Sequence, residues 1–311
     1  MKIRNLLPII GIAIFVYILL KLDLRKTLIE IANANVYYLI LASFLVFVSL
    51  IFQTFKWYII ALVQKINLPF GDAMSINLIG LFYGFLTPGK LGGAIRADYI
   101  KNYKNGDLGK GISNYVLDKI LDTLSIVFII IVFSFAFSGI ISTGLVYYFL
   151  ILFLFSTSVF ILFLDMNRSK TILRVFYKTL APERMKEKLR NSFYSFYRDM
   201  PKRGYFILFF LANILTWMII YASTYFMGVA VGINASFFYY MEILSIGTLV
   251  SLIPISIGGL GTREATTISL FRLIGVEATK VFSMSLLAIF ISSIIPSIIG
   301  IFLTFKYKGN R

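Results

Sequence analysis

The 311-residue chain is 59% apolar, with a mean hydropathy of +0.87 and a formal net charge of +16. It contains neither cysteine nor histidine, which excludes disulfide frameworks, thiolate sites, metal–imidazole centres and histidine acid–base or phosphohistidine chemistry. The apolar runs are long and do not alternate, so the chain reads as an all-α polytopic membrane protein and not a barrel. Its basic excess lies between those runs, as positive-inside topology and attraction to anionic lipid headgroups require, and is not read as a nucleic-acid surface.

Taken in order, Lys2 and Arg4 precede an apolar run from Leu6 to Leu20. No small-residue cleavage site follows, so an uncleaved first span entering from the cytoplasm is predicted. A second span is predicted from Val36 to Val63, with Trp57 and Tyr58 beside Lys56 as interfacial anchors at its cytoplasmic end. Ala73 to Leu86 is apolar but only about 14 residues long, short for a crossing. With the Pro88–Gly93 break after it, it is read as a re-entrant half-helix that returns the chain to Lys101, Lys104 and Lys110 on the cytoplasmic side. A third span is predicted from Tyr115 to Phe137 and a fourth from Leu145 to Leu164, joined by an uncharged outer loop.

Residues 165–203 carry eleven basic side chains against four acidic ones, the clearest orientation signal in the chain. Leu173, Phe176 and Leu180 recur at helical spacing, as do Met185, Leu189, Phe193 and Phe196, with Pro182 between the groups. Two amphipathic helices on the cytoplasmic leaflet are predicted. They are read either as a lipid-gathering surface or as a simple positive-inside anchor. A fifth span follows from Phe206 to Val231. Phe237 to Ile253 enters from outside as a second re-entrant element, and Thr266 to Ile274 returns it. The last span, Val281 to Phe305, ends with Lys306, Lys308 and Arg311.

Each half then reads span, span, re-entrant element, span. Three crossings separate the re-entrant elements, so they enter from opposite faces. The expected architecture is an inverted repeat of residues 1–140 and 141–311, with the basic amphipathic insertion at 165–203. It has six spans plus two re-entrant glycine-hinged elements that meet near the midplane. Lys21 to Lys26 fall on the outer side in this topology, against the charge rule, and are partly offset by Asp23 and Glu30.

The hinges themselves are two related stretches. Residues 251–265 read SLIPISIGGLGTREA, with Pro254, Gly258, Gly259 and Gly261 ahead of Arg263 and Glu264. Residues 86–99 read LTPGKLGGAIRADY. Aligning Pro88 with Pro254 sets Gly92 and Gly93 on Gly258 and Gly259, and Asp98 on Glu264; Arg96 falls one position before the match to Arg263. Each follows an apolar segment with its own glycine, Gly80 or Gly247. Lipid cannot satisfy free backbone amides, so such breaks persist only inside protein or along a wet cavity. A charged residue at the bilayer centre costs roughly 2.5–3.5 kcal/mol and marks a pathway or site. Paired glycine-broken elements in corresponding halves point to a transporter substrate site. A pair of tight extramembrane loops is the alternative.

Three segments carry a family resemblance: TPGKLGGAIRADY at 87–99, VLDKILDTL at 116–124 and SLIPISIGGLGTREA at 251–265. With the hydropathy profile they resemble the transmembrane flippase region of the lysylphosphatidylglycerol synthase family over nearly the whole chain. The resemblance implies a translocator of lipid headgroups, standing alone without the transferase domain found in some members. Many relatives carry a carboxylate between the glycines and the arginine of the first motif; here Gly93 and Ala94 stand there, with Asp98 as a possible substitute.

Carried over residue by residue, the resemblance makes Arg96 and Arg263 the phosphate binders, since a guanidinium fork matches phosphate oxygens. Lys90 either assists or snorkels to an interface. Glu264 and Asp98 are expected to neutralise the arginines when no headgroup is bound, and proton coupling is an alternative role for them. Asp118 and Asp122 are four apart on one helix face with Lys119 beside them, and their repeat counterparts are Ser283 and Leu287. They are read either as partners of Arg96 or a proton relay, or as acidic residues suiting a helix N-terminus near Asn114. Glu242 is read as an outer-interface residue.

No catalytic residue, cofactor or metal is expected. The expected partners are membrane lipids, a separate transferase that makes the lipid, and a second copy of the chain. The expected location is the cell membrane, with both termini cytoplasmic. The leading function is flippase or scramblase movement of a phosphate-bearing headgroup, from a phospholipid or a polyprenyl-phosphate-linked sugar. A small-solute or ion secondary transporter is the alternative, then an intramembrane lipid-phosphate enzyme, for which no serine sits in a nucleophile motif.

Overall fold

A computed structural model describes residues 7–138, 140–172 and 183–309. The helices are α1 (Leu7–Lys21), α2 (Leu24–Ala32), α3 (Val36–Val63), α4 (Phe70–Phe85), α5 (Ile95–Ile100), α6 (Leu108–Phe133) and α7 (Thr143–Phe163). They continue as α8 (Glu183–Arg198), α9 (Arg203–Ala230), α10 (Phe237–Ser251), α11 (Thr262–Leu273), α12 (Ala278–Ile289) and α13 (Ile295–Gly309). A 3₁₀ turn at Leu91–Ala94 precedes α5, and π turns at Ser134–Ser138 and Phe290–Ile294 end α6 and join α12 to α13.

Four described helices are long and apolar enough to cross a membrane: Val36–Val63, Thr143–Phe163, Arg203–Ala230 and Ala278–Lys306. They coincide with the second, fourth, fifth and last expected spans. The other two differ in instructive ways. Of the expected first span, Leu7–Lys21 is described, as one helix. It stops because Asp23 caps a new helix, its side chain accepting from the Lys26 amide at 3.0 Å. The expected third span, α6, has 26 residues and ample length, but carries Asp118, Lys119 and Asp122 in its interior.

Packing is organised by pairs. The 28-residue helices α3 and α9 lie along each other at the centre. To one side α4 packs on α13, and to the other α10 packs on α6 and α11. The largest buried cluster joins Val46, Ile129, Tyr221, Met241, Phe271 and Met284. A second, around Trp57, Ile76, Ile79 and Tyr99, seats α4 and α5 against α3. Outward-facing Ile40, Phe155, Ile207 and Phe302 are exposed, as lipid-facing positions on spanning helices should be.

Both predicted hinges are helix–break–helix units, and the breaks touch. Pro88 and Ile257 form an isolated antiparallel bridge, and the Gly258 amide donates to the Thr87 carbonyl at 3.4 Å. Beyond the second break the helix begins earlier than Thr266. Gly261 caps α11, and its amide donates to Glu264 Oε2 at 2.6 Å, so Arg263 and Glu264 occupy the first helical turn.

Of the two amphipathic helices predicted in 165–203, the first (Leu173–Leu180, with Pro182) lies outside the described residues. The second is α8, which packs on the start of α6. Ser195 bonds to Asp107, the N-cap of α6. Asp199, between α8 and α9, pairs with Lys110 of α6 and, at 3.4 Å, with Lys65. The hydrogen bond from Lys110 holds the Asp199 carboxyl below the usual carboxylate range; burial opposes this, and the charges of Lys110 and Lys65 reinforce it. A depressed carboxylate stabilises the fold above its unfolded pKa and loses that effect as pH falls through the lower folded value. Hydrogen exchange at residues 199–203, corrected for its intrinsic rate, is therefore expected to stay flat across neutral pH. It should rise only below about pH 4. Asp199→Asn should show the faster exchange already at neutral pH.

Candidate functional site

The two touching breaks form part of the wall of a cavity of about 230 Å³, lined also by residues of α3, α4, α5, α6, α9, α10, α11 and the α12–α13 segment. On one side stands a buried ion network. Asp118 and Asp122 project from α6 about three turns inside the helix. The reading of these aspartates as helix-terminal residues is thereby corrected. Asp107 is the cap, and Asn114 donates instead to the Trp57 carbonyl at 3.3 Å and to Gln64 Oε1 at 3.2 Å.

Asp118 Oδ2 accepts from Arg96 Nη2 at 2.7 Å, and its other oxygen lies 2.9 Å from Lys56 Nζ. Lys56 also bonds to Asp122 and donates to Asn213 Oδ1 of α9 at 2.9 Å. Asp122 takes two more donors, Lys119 Nζ at 2.8 Å and Trp217 Nε1 at 3.2 Å. Arg96 lies over the rings of Trp57 and Tyr115, its guanidinium carbon 5.3 and 5.4 Å from their centroids. Four elements (α3, α5, α6 and α9) are thus tied at one point by ion pairs and by hydrogen bonds to charged groups. Arg96 and Asp118 are 5% and 1% exposed, so the pair is held in protein, where leaving either partner alone is costly.

Across the touching breaks, Arg263 donates to its neighbour Glu264 from Nε at 3.0 Å and from Nη2 at 2.9 Å. Glu264 is fully buried behind it, while the Arg263 side chain keeps 23% exposure and lines the cavity. Of the two glycines noted in the preceding apolar segments, Gly80 makes room for Arg96 and Gly247 for Thr267, one turn beyond Arg263. A Cβ on Gly80 would lie 2.8 Å from Arg96 Cγ, and one on Gly247 would meet Thr267 at 2.8 Å and Arg263 Cγ at 3.6 Å.

Most of the expected site residues therefore gather here: Lys90, Arg96, Asp118, Lys119, Asp122, Arg263 and, behind the wall, Glu264. The hinge residues hold the breaks in place. Gly92 donates to Thr87 Oγ1 at 2.6 Å, Gly93 lies on the wall, and Gly258, Gly259 and Gly261 have φ of 59°, 83° and 85°.

Asp98 is a correction. It pairs with Lys101 on the surface and is not among the cavity residues, and Asp118 takes the place expected of it beside Arg96. Trp57 is another: it is fully buried under Arg96 and is not an interfacial anchor. Glu242 is a third, buried at 0% exposure and accepting from Ser134 Oγ at 2.8 Å. Lys56, Asn213 and Trp217 were not singled out as site residues. Lys56 had a usable signal, since a lysine within the last two turns of an apolar 28-residue helix is either an interface anchor or functional.

The charge balance decides what such a cavity accepts. Among the described residues its wall carries five cations (Lys56, Lys90, Arg96, Lys119 and Arg263) against Asp118 and Asp122, with Glu264 behind Arg263. The surplus of two positive charges favours an anion.

The model of a family described as the lysylphosphatidylglycerol synthase TM region matches residues 8–300. A UPF0104 membrane protein of Pyrococcus horikoshii is 26% identical over 98% of this chain and 97% of its own length. One from Methanocaldococcus jannaschii is 26% identical over 96% and 95%. A phosphatidylglycerol lysyltransferase of Staphylococcus aureus is 25% identical over 97% of this chain, which covers 34% of that protein.

Proposed function

Because this chain belongs to the lysylphosphatidylglycerol synthase TM region family and is a multi-pass membrane protein, we propose that it moves a phosphate-bearing lipid headgroup between leaflets. The headgroup passes through the cationic cavity while its tails stay in lipid. The observation that carries this reading is the cavity's surplus of two positive charges at the contact of two glycine-hinged breaks. Arg263 is the entering phosphate's first partner: it is partly exposed and can exchange Glu264 for phosphate without breaking the α6 network. Arg96 sits deeper and holds the binding wall through Asp118.

An inverted repeat supports two-sided access to one site. Exchanging the halves 1–140 and 141–311 exchanges α4 with α10 and α13 with α6, and the pairs α4–α13 and α10–α6 are both packed. The chain acts without chemistry on the lipid, in a cell membrane, with both termini cytoplasmic.

The test is leaflet exchange of fluorescent anionic phospholipids in proteoliposomes. Wild type is expected to move them. The double variant Arg263→Gln with Glu264→Gln, which removes charged hydrogen bonds to phosphate without leaving Glu264 as an unpaired buried charge, should lower the rate by about ten- to a hundredfold. Undiminished transport by that variant removes Arg263 from the pathway. Protein-dependent uptake of soluble phosphate or sulfate, with no lipid movement, favours a solute carrier instead.

A further inference from the structure

Outside the cavity, and independently of the translocation reading, we propose that the exposed face of α8, with residues 166–172 beside it, is a docking surface for anionic phospholipid headgroups of the adjoining leaflet. The surface is fixed to the ends of two spanning helices. Ser169 Oγ and the Tyr197 hydroxyl both donate to the Phe163 carbonyl, at 3.1 and 2.9 Å, and Phe163 is the last residue of α7. The next span, α9, begins at Arg203, just after α8 ends at Arg198. The other side of α8 is taken by protein. Ser195 bonds to Asp107, and a Cβ on Gly109 of α6 would lie 2.6 Å from Ser195 Cβ. The helix is therefore held in one rotation, with its basic face outward.

That face is cationic beyond what its protein contacts offset. Lys170 and Arg190 converge on Tyr194 from different segments. Lys170 Nζ donates to the Tyr194 hydroxyl at 3.2 Å and lies 5.6 Å from the ring centroid, and the Arg190 guanidinium carbon lies 6.0 Å from it. An exposed ring attracts a cation only weakly, and neither cation pairs with a carboxylate among the described residues. Two like charges thus meet in an arrangement that an anion completes. The row continues toward the bilayer. Arg198 keeps 66% side-chain exposure and reaches Asp107 at 3.7 Å, and Lys202 and Arg203 are exposed at the start of α9. Against these cations, the described part of α8 exposes Glu187.

Tyrosine with lysine and arginine at the ends of spanning helices is the composition of the headgroup layer, on the side that a basic surplus marks as cytoplasmic. The face is open and elongated, with Lys170, Arg190 and Tyr194 all exposed. It suits a layer of lipid phosphates better than one enclosed soluble anion. Each basic side chain near an anionic leaflet strengthens attachment roughly fivefold.

The chain has no cysteine, so Asn191→Cys, at an exposed position beside Arg190, places a single environment-sensitive fluorophore on this face. The labelled full-length protein is studied in phosphatidylcholine nanodiscs with increasing phosphatidylglycerol. Its emission is expected to shift to the blue as phosphatidylglycerol rises. The shift should reverse as salt is raised from about 0.1 to 1 M, where the Debye length falls from about 10 to 3 Å. Adding Lys170→Gln with Arg190→Gln should weaken the response about thirtyfold, roughly fivefold per charge. Adding Arg263→Gln with Glu264→Gln instead should leave it unchanged, which separates this surface from the cavity.

Emission that ignores phosphatidylglycerol, or a full response without Lys170 and Arg190, overturns the docking surface whatever the outcome for translocation. Loss of the response in the Arg263 and Glu264 variant overturns its independence of the cavity. The same shift produced by inorganic phosphate in pure phosphatidylcholine discs assigns the face to a soluble anion and overturns the lipid assignment. The titration with native Lys170 and Arg190 decides the question even where their double variant does not fold.

Discussion

Asp118→Ala is expected to destabilise the protein by about 3–5 kcal/mol, the cost of leaving buried charge without its partner. The carboxylate lies between Arg96 and Lys56, and both side chains are nearly inaccessible, at 7% and 6%. Lys56 keeps Asp122 after the change, so the larger share of the loss falls on Arg96, which retains only the faces of Trp57 and Tyr115. Thermal unfolding in detergent, read by the loss of the monodisperse species, measures this directly. Asp98→Ala is the control. It removes a partly exposed i,i+3 contact with Lys101, and such surface pairs contribute about 0–1 kcal/mol. Equal melting of the two variants refutes the central role given to Asp118.

The contrast between Asp98 and Asp118 also marks what the sequence could and could not say. The hinges were legible because proline and clustered glycine interrupt a helix through their own backbone chemistry, whatever packs around them. Their contact through Pro88 and Ile257 follows the expected meeting of the two elements. The pairing of carboxylates with arginines was less legible. Asp98 stands two residues after Arg96, and residues two apart on a helix do not face each other. Proximity in the alignment therefore picked a surface residue, while the partner came from another element. Lys56-Trp57-Tyr58 misled for a related reason. A basic residue beside aromatics near the end of an apolar run has the composition of an interface anchor. Only packing against α5 and α6 shows that Trp57 and Lys56 point inward. The break after α1 was hidden because hydropathy does not register an N-cap such as Asp23.

Gly261→Ala is expected to be the most disruptive conservative change in the second hinge, at about 3–5 kcal/mol from backbone strain and overpacking together. Its φ of 85° is unfavourable for any residue with a Cβ, and that Cβ would lie 2.1 Å from the Gly11 carbonyl of α1 and 2.8 Å from the Phe15 amide. Neither neighbour is a flexible side chain that can rotate away, so α1 must move off the hinge. Gly275 separates the two causes. Its φ is 79°, yet a Cβ there meets nothing within 4 Å, so Gly275→Ala carries the strain alone, about 1–2 kcal/mol. The difference between the variants, measured by thermal unfolding in the same detergent, reports the α1 contact. The consequence extends to the site, because the Gly261 amide anchors Glu264, which in turn holds Arg263. A hinge displaced at Gly261 therefore loses the arginine's resting position as well as its packing. If both alanine variants melt alike, the close approach of α1 contributes nothing, and the hinge is held by its own backbone conformation.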